Sequence, residues 1–273
     1  MRVMFVFSPR YYWPFVSEGD NYLVPQSLAY LAAACRKAGH EVSVYDCMPL
    51  KMGWKTLENT MRDEDPDVLC IGENHALYAH EAMRVVEMAA DIIPRAKRLV
   101  GGAHFTNLYD KYMRAHPIDF VVRAEGEATL VGLLEELGQD KPDLSKVAGI
   151  VYREGDGPDC KLVKTAPRHL IEDLDSLAMP AYDLMPMDLY GTSKLSFSPG
   201  GSTIHHSRGC TASCSFCVWW TQMAHRDEDD EGLIHLRPRW RTKSVSKTIE
   251  EIQELYYKYD KRCYVWVDES WNI

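Results

Sequence analysis

The chain is 273 residues long, 46% apolar and 26% charged, a composition that fits one or two folded domains and excludes extended disorder. Its 31 basic and 40 acidic residues leave a net charge of −9, a poor basis for binding nucleic acid, and no apolar run reaches the ~18 residues that span a bilayer. Residues 1–7 are too short for a secretory signal before Ser8-Pro9-Arg10, so a cytoplasmic protein is expected.

In chain order, residues 2–7 (RVMFVF) read as an apolar strand. Residues 25–38 place Leu28, Leu31, Ala32 and Cys35 on one helical face, between Pro25 and Gly39. Residues 41–46 form a second strand, 52–63 a helix and 67–72 a third strand. His80 to Ile93 is helical and ends at Pro94. Residues 98–100 run as a fourth strand into Gly101-Gly102. A fifth strand covers 119–122, and Glu127 to Leu137 is a helix. Apolar strands alternating with helices predict an α/β fold with a doubly wound parallel sheet covered on both faces. Ligands of such a sheet gather beyond the carboxyl ends of its strands. Here those ends are Ser8-Pro9, Asp46, Gly72-Glu73-Asn74-His75, Gly101-Gly102-Ala103-His104 and Ala124-Glu125-Gly126-Glu127.

Residues 147–165 read as a β-hairpin around Gly155-Asp156-Gly157-Pro158. Residues 166–200 are an ordered linker, too apolar at Leu174, Leu177, Met179, Tyr182, Leu184 and Leu189 to stay solvated. A strand at 202–205 then leads into a cysteine cluster. The acidic run Asp227 to Glu231 is expected to be a solvated loop. Val245, Ile249, Ile252, Tyr256 and Tyr259 mark an amphipathic helix with Ser244 or Ser246 as its cap, followed by a last strand at 263–267.

Eight cysteines are too sparse for a disulfide scaffold, but Cys210, Cys214 and Cys217 fall within eight residues, and Phe216 precedes the third. Three readings stand side by side. The thiolates can join His205 or His206 in a structural zinc site, although no second paired-cysteine turn exists to complete one. They can be unrelated core cysteines. Or they can ligate three irons of a 4Fe-4S cubane and leave the fourth iron open to a substrate.

Cys210-x3-Cys214-x2-Cys217 resembles the signature of radical S-adenosylmethionine proteins. The order of the motifs ahead of it resembles the B12-binding members of that family: Val24 to Ala33, Ala38-Gly39-His40-Glu41-Val42, Gly101-Gly102-Ala103-His104, Val121 to Glu127 and Met179-Pro180-Ala181-Tyr182-Asp183-Leu184. The resemblance implies a cobalamin-binding Rossmann-like domain over 1–140, a hairpin and linker over 141–200, and the start of a (β/α) radical SAM barrel over 201–273. It implies that Cys210, Cys214 and Cys217 ligate the 4Fe-4S cluster. Phe216 and Asp268-Glu269-Ser270 would contact S-adenosylmethionine. Cobalamin would lie against Ser8, Pro9, Glu73, Asn74, His75, Tyr78, Gly101, Gly102, His104, Glu125, Gly126 and Glu127.

The Asp-x-His-x-x-Gly motif of histidine-ligated cobalamin domains is absent, so cobalt is expected to lack a histidine from the first loop. Its lower face would be covered by Glu73, Asn74, His75 or Tyr78. Tyr11, Tyr12, Trp13, Phe15, Trp219 and Trp220 are candidate cavity aromatics, with core packing as the alternative. The implied reaction is methyl transfer from methylcobalamin to a carbon activated by the 5′-deoxyadenosyl radical, on a small-molecule or peptide substrate and with an external electron donor. No catalytic side chain is assigned. Cyclisation or rearrangement is one alternative, and a non-catalytic corrinoid- or metal-binding module is another. Only two strands are read beyond residue 200, so a truncated barrel is expected.

Overall fold

The computed structural model describes residues 1–10, 22–73, 76–155, 160–191, 200–228 and 234–270. Five βα steps come first: β1 Arg2–Phe7, α1 Gln26–Lys37, β2 Glu41–Asp46, α2 Trp54–Glu64, β3 Val68–Gly72, α3 Ala79–Ile92, β4 Lys97–Gly101, α4 Ala103–Ala115, β5 Phe120–Val122 and α5 Glu127–Leu137. A hairpin follows, β6 Ile150–Glu154 and β7 Lys161–Lys164. Its strands do not stand apart. The sheet order is β2-β1-β3-β4-β5-β6-β7, parallel from β2 to β5 and antiparallel from β5 onward. The chain reverses direction on either side of β1 and β3, which places the ligand crevice of such a sheet at that switch point.

The alternation of β1 explains the two layers. Val3 and Phe5 join the core beneath α1 and α5, and Met4 and Val6 join the core beneath α2, α3 and α4. The linker completes the first core, burying Ala181, Tyr182, Met187 and Tyr190 through a series of short 3-10 turns.

The remaining elements are β8 Gly201–Ile204, β9 Ser207–Cys210, α6 Val218–Gln222, β10 His225–Glu228, β11 Ile234–Arg237, β12 Arg239–Thr242, α7 Val245–Tyr259 and β13 Cys263–Trp266. β8 and β13 pair in parallel across α7, a βαβ unit of the kind that begins a barrel. Two small antiparallel ribbons, β9–β12 and β10–β11, flank the cysteine loop and lead up to α7. Asp227 and Glu228 lie in β10 rather than in a loop. Ser244 caps α7, its side chain accepting from the Lys247 amide at 3.1 Å.

This C-terminal part sits on the α1 side of the sheet through buried polar contacts. The Gln26 amide donates to the Thr203 carbonyl at 2.7 Å, and the Thr203 hydroxyl donates to the Val24 carbonyl at 2.7 Å. Glu251 of α7 accepts from Tyr182 at 2.6 Å, from Tyr30 at 3.1 Å, and from the Lys243 ammonium. Truncating Glu251 would leave Lys243 buried without a counter-charge. Glu251→Ala should therefore lower stability by about 3–5 kcal/mol in chemical denaturation. Lys258→Ala, which breaks an exposed pair with Glu254, should leave the denaturation midpoint almost unchanged.

Candidate functional site

The carboxyl ends of the parallel strands open on a cavity of about 970 Å³. One wall comes from the strand ends, with Gly72, Gly101, Gly102 and Gly126 bringing bare backbone to the surface. The opposite wall comes from the cysteine loop and its neighbours: Cys210, Cys217, Trp219, Trp220, Gln222 and Glu269. The cavity lies at the strand ends where the sequence expects ligands to gather, and two of the three clustered cysteines are on its wall. Gly102 has φ +98°, where a side chain is strained. A Cβ on Gly126 would lie 2.9 Å from the Leu31 side chain.

Glu125 and Glu127 line the cavity, yet both are engaged by protein cations. Arg208 of β9 contacts Glu125 at 3.0 Å and Glu127 at 2.5 Å, and Arg241 of β12 contacts Glu125 at 2.9 Å. The Ile171 amide donates a further bond to Glu125 at 2.7 Å. Burial pushes the Glu125 carboxyl up, but the two guanidiniums outweigh it and its pKa falls below the ordinary value. Before Glu125, Ala124 takes φ +58°, a left-handed conformation uncommon outside glycine and often met at ligand sites.

At the end of β3, Glu73 is paired with Arg10, whose guanidinium lies 4.0 Å from the Phe7 ring centroid and 3.6 Å from that of Tyr78. Arg10 lines the cavity, and its buried Nε has no hydrogen-bond partner among the described residues. Asn74, His75, Tyr11, Tyr12, Trp13 and Phe15 lie outside the described residues. Ser8 and Pro9 are buried but are not on the cavity wall. His104 also stands off the wall, bonded through Nε2 to the Tyr112 hydroxyl at 2.8 Å.

Cys210 is half-buried, with its sulfur 2.9 Å from the Ser270 hydroxyl and accepting from the Ala212 amide at 3.3 Å. Cys214 is exposed, and its carbonyl accepts from the Cys217 amide at 3.1 Å. All eight cysteines are free thiols, and among the described residues no three His, Cys, Asp or Glu side chains are gathered around a common point. Phe216 is exposed. Asp268 turns away from the cavity to accept from the His206 amide at 3.2 Å and from Ser207, closing the turn between β8 and β9. Glu269 is on the wall, its carboxyl raised chiefly by desolvation.

His205 also lines the cavity. Burial first, then the charges of Arg208 and Lys243, hold its imidazole well below the usual range, so it is neutral and poorly suited to carrying a proton's charge. Gln222 donates to the Ala103 carbonyl at 2.9 Å, fastening the helix after the cysteines to the end of β4. Sequence reading missed Arg10, Arg208, Arg241 and Gln222, because each acts on a partner far away in the chain.

A single sheet covered on both faces, whose glycine-bearing strand ends face the cysteine loop, borders a cavity of ligand size. Residues 13–134 match the family model described as a B12 binding domain. The chain is 30% identical over 251 residues to an uncharacterized methyltransferase of Pyrococcus horikoshii, covering 91% of this chain and 49% of that protein. It is 27% identical over 278 residues to the anaerobic magnesium-protoporphyrin IX monomethyl ester cyclase of Rubrivivax gelatinosus, covering 100% and 46%. The chain thus spans about half the length of the curated relatives it matches.

Among solved structures, the cobalamin-dependent S-adenosylmethionine radical enzyme OxsB matches with TM-score 0.73 and 18% identity, over 98% of this chain and 34% of that one. The radical S-adenosylmethionine methyltransferase TsrM of Kitasatospora setae matches with TM-score 0.71 and 16% identity, over 100% and 48%. The solved structures bear out the fold, and the family-model match together with the curated relatives bears out the resemblance to B12-binding radical SAM proteins read from the sequence. Among the described residues no helix is long and apolar enough to cross a membrane.

Asp46, at the end of β2, accepts from the Tyr190 hydroxyl at 2.8 Å, and burial raises its carboxyl from the ordinary 3.8 to about 6. The folded state then holds this proton to higher pH than the unfolded chain does. Its contribution to stability should be complete below about pH 4 and lost as the pH rises through about 6. Asp46→Asn should flatten that part of the stability profile, as read by denaturation midpoints across the range. An unchanged slope would show that Asp46 titrates normally.

Proposed function

We propose that this chain forms the corrin- and cluster-binding part of a cobalamin-dependent radical SAM enzyme that transfers a methyl group to an unactivated carbon. The reading rests on the cavity that puts Gly101 and Gly102 on one wall and Cys210 and Cys217 on the other. The residues fit both groups. Bare glycine backbone lines the strand ends, the volume is at the upper end of the ~300–1,000 Å³ of ordinary ligand sites, and three free thiols share one short loop. The cyclase of Rubrivivax gelatinosus aligns with the whole chain and keeps cyclisation as the second reading.

In this assignment residues 1–140 bind the corrin, residues 141–200 buttress the sheet, and residues 201–273 begin the barrel. Cys210, Cys214 and Cys217 hold the cluster. Gly101, Gly102, Gly126 and Tyr78 bear on the corrin, with Asn74 and His75 as further candidates from the sequence. Ser8, Pro9 and His104 act from behind the cavity wall. Glu73, Glu125 and Glu127 act in company with their arginines. Phe216, Glu269 and Ser270 bear on S-adenosylmethionine, and Asp268, which turns away from the cavity, acts through the β8–β9 turn that it closes. When bound, the reduced cluster supplies the electron that cleaves S-adenosylmethionine and the corrin supplies the methyl group. The chain's own part is to hold these groups in line across the cavity, with His205 neutral beside it. The substrate is a small molecule or peptide, the electron comes from a separate donor, and the thiolates call for the reducing cytoplasm.

Anaerobic reconstitution should load about four irons per chain. Cys210→Ala, Cys214→Ala or Cys217→Ala should abolish this, and Cys35→Ala should not, because Cys35 is buried in the core with its thiol pushed up to about 12. Stoichiometric zinc under the same conditions would overturn the cluster assignment.

Gly102→Leu should block base-off cobalamin binding, read from the corrin absorption spectrum, because a side chain there would enter the cavity wall at a strained φ. Unchanged affinity would place the corrin elsewhere. Release of 5′-deoxyadenosine on reduction with S-adenosylmethionine separates the enzyme from a binding module.

A further inference from the structure

Arg208 stands two residues before Cys210, and the residue between them has no freedom to vary. Gly209 has φ +87°, and a Cβ there would lie 2.0 Å from the Arg239 carbonyl oxygen on the paired strand. The β9–β12 register sets Arg241 directly opposite Arg208. Like charges facing each other across a ribbon repel, so the ribbon needs an anion between them. Glu125 meets both arginines, and Glu127 takes the second arm of Arg208. Both glutamates follow β5, the strand next to β4 and its Gly101-Gly102 end. The first cysteine is therefore referenced to the end of the sheet through a short, buried chain of contacts that no sequence motif announces.

We propose that Arg208 is a positioning residue that fixes the separation and orientation of a cluster held from Cys210 relative to a corrin seated over the ends of β4 and β5. The inference rests on the function proposed above. Alignment of reacting groups is exacting, since a displacement of ~1 Å can cost about 10²-fold in rate. Only the planar fork of arginine spans two carboxylates at once. Lysine keeps the charge and loses the fork.

The test uses the full chain, reconstituted without oxygen with iron, sulfide and cob(II)alamin and reduced until cluster and cobalt are both paramagnetic. The readout is the spin–spin interaction between them in electron paramagnetic resonance. Arg208→Lys should keep the iron and corrin content of the unaltered protein, because the cysteines and strand ends are intact, and should show a weakened and broadened interaction. A merely structural role would lower the loaded fraction and leave the interaction within that fraction unchanged. An interaction identical to that of the unaltered protein overturns the proposal. Should Arg208→Lys not load, Arg208→Gln decides in the same way, since it keeps hydrogen-bond donors at this position, loses the fork that spans Glu125 and Glu127, and leaves Arg241 as the counter-charge of Glu125. Unaltered protein that takes up neither iron nor corrin overturns the proposed function, and this inference with it.

Discussion

Four ionised groups buried between the end of the sheet and a two-stranded ribbon hold the two walls of the cavity together. Each of Glu125, Glu127, Arg208 and Arg241 is nearly inaccessible to water. Taking such groups out of water costs several kcal/mol apiece, and the cost is recovered only in the geometry where every charge meets its partner. The two carboxylates and two guanidiniums sum to zero charge, so the cluster is electrically closed. A ribbon displaced by one residue would bury at least one charge alone. The docking is thus discrete rather than sliding, which is what a chamber assembled from residues more than 80 positions apart requires.

A second buried network continues the first. Arg241 and Lys243 are two residues apart at the end of β12 and turn the same way, one toward Glu125 and the other toward Glu251. Tyr30 of α1 joins the two networks, bonded to Glu251 and with its ring 5.1 Å from the Lys243 ammonium and 5.4 Å from the Arg208 guanidinium. Burial, and then the Glu251 charge, hold its hydroxyl protonated far above the ordinary range. One short strand therefore ties both the β5 end of the sheet and the first helix to the C-terminal βαβ unit. Polar contacts of this kind are a less forgiving joint than apolar packing, because each partner is specified by direction as well as by burial.

The sequence made the parallel sheet legible because its strands are apolar on both faces, and RVMFVF or VLCIG has no other stable place. It hid the antiparallel turn of the sheet at β5, since hairpin strands carry no mark of which edge they will join. It hid the small ribbons for a different reason. Segments such as RWRT look like solvated loop by composition, and only the distant glutamates make their arginines buried residues. The cysteines were legible from spacing alone. Glu125 and Glu127 were picked out from the strand-end pattern, but that pattern says nothing of the cations that claim them. Arg10 shows the same limit, its partners Glu73 and Tyr78 lying far along the chain.

The pairing of charges also decides what kind of surface the cavity offers. Glu73, Glu125 and Glu127 would make its sheet-side wall strongly acidic if they stood alone. Each is matched by an arginine, and His205 is kept neutral first by burial and then by the cations nearby. The wall is therefore rich in ionisable residues and poor in unbalanced charge. A polyanion would find no surplus of cations in these pairs to neutralise it, and a bare metal ion would find these carboxylates already occupied. What the wall does offer is exposed glycine backbone, aromatic rings and an arginine face, which suit a large, flat and mostly uncharged ligand by contact and hydrogen bonding. The thiols of Cys210 and Cys217 stand on the facing side of the cavity, away from the paired charges.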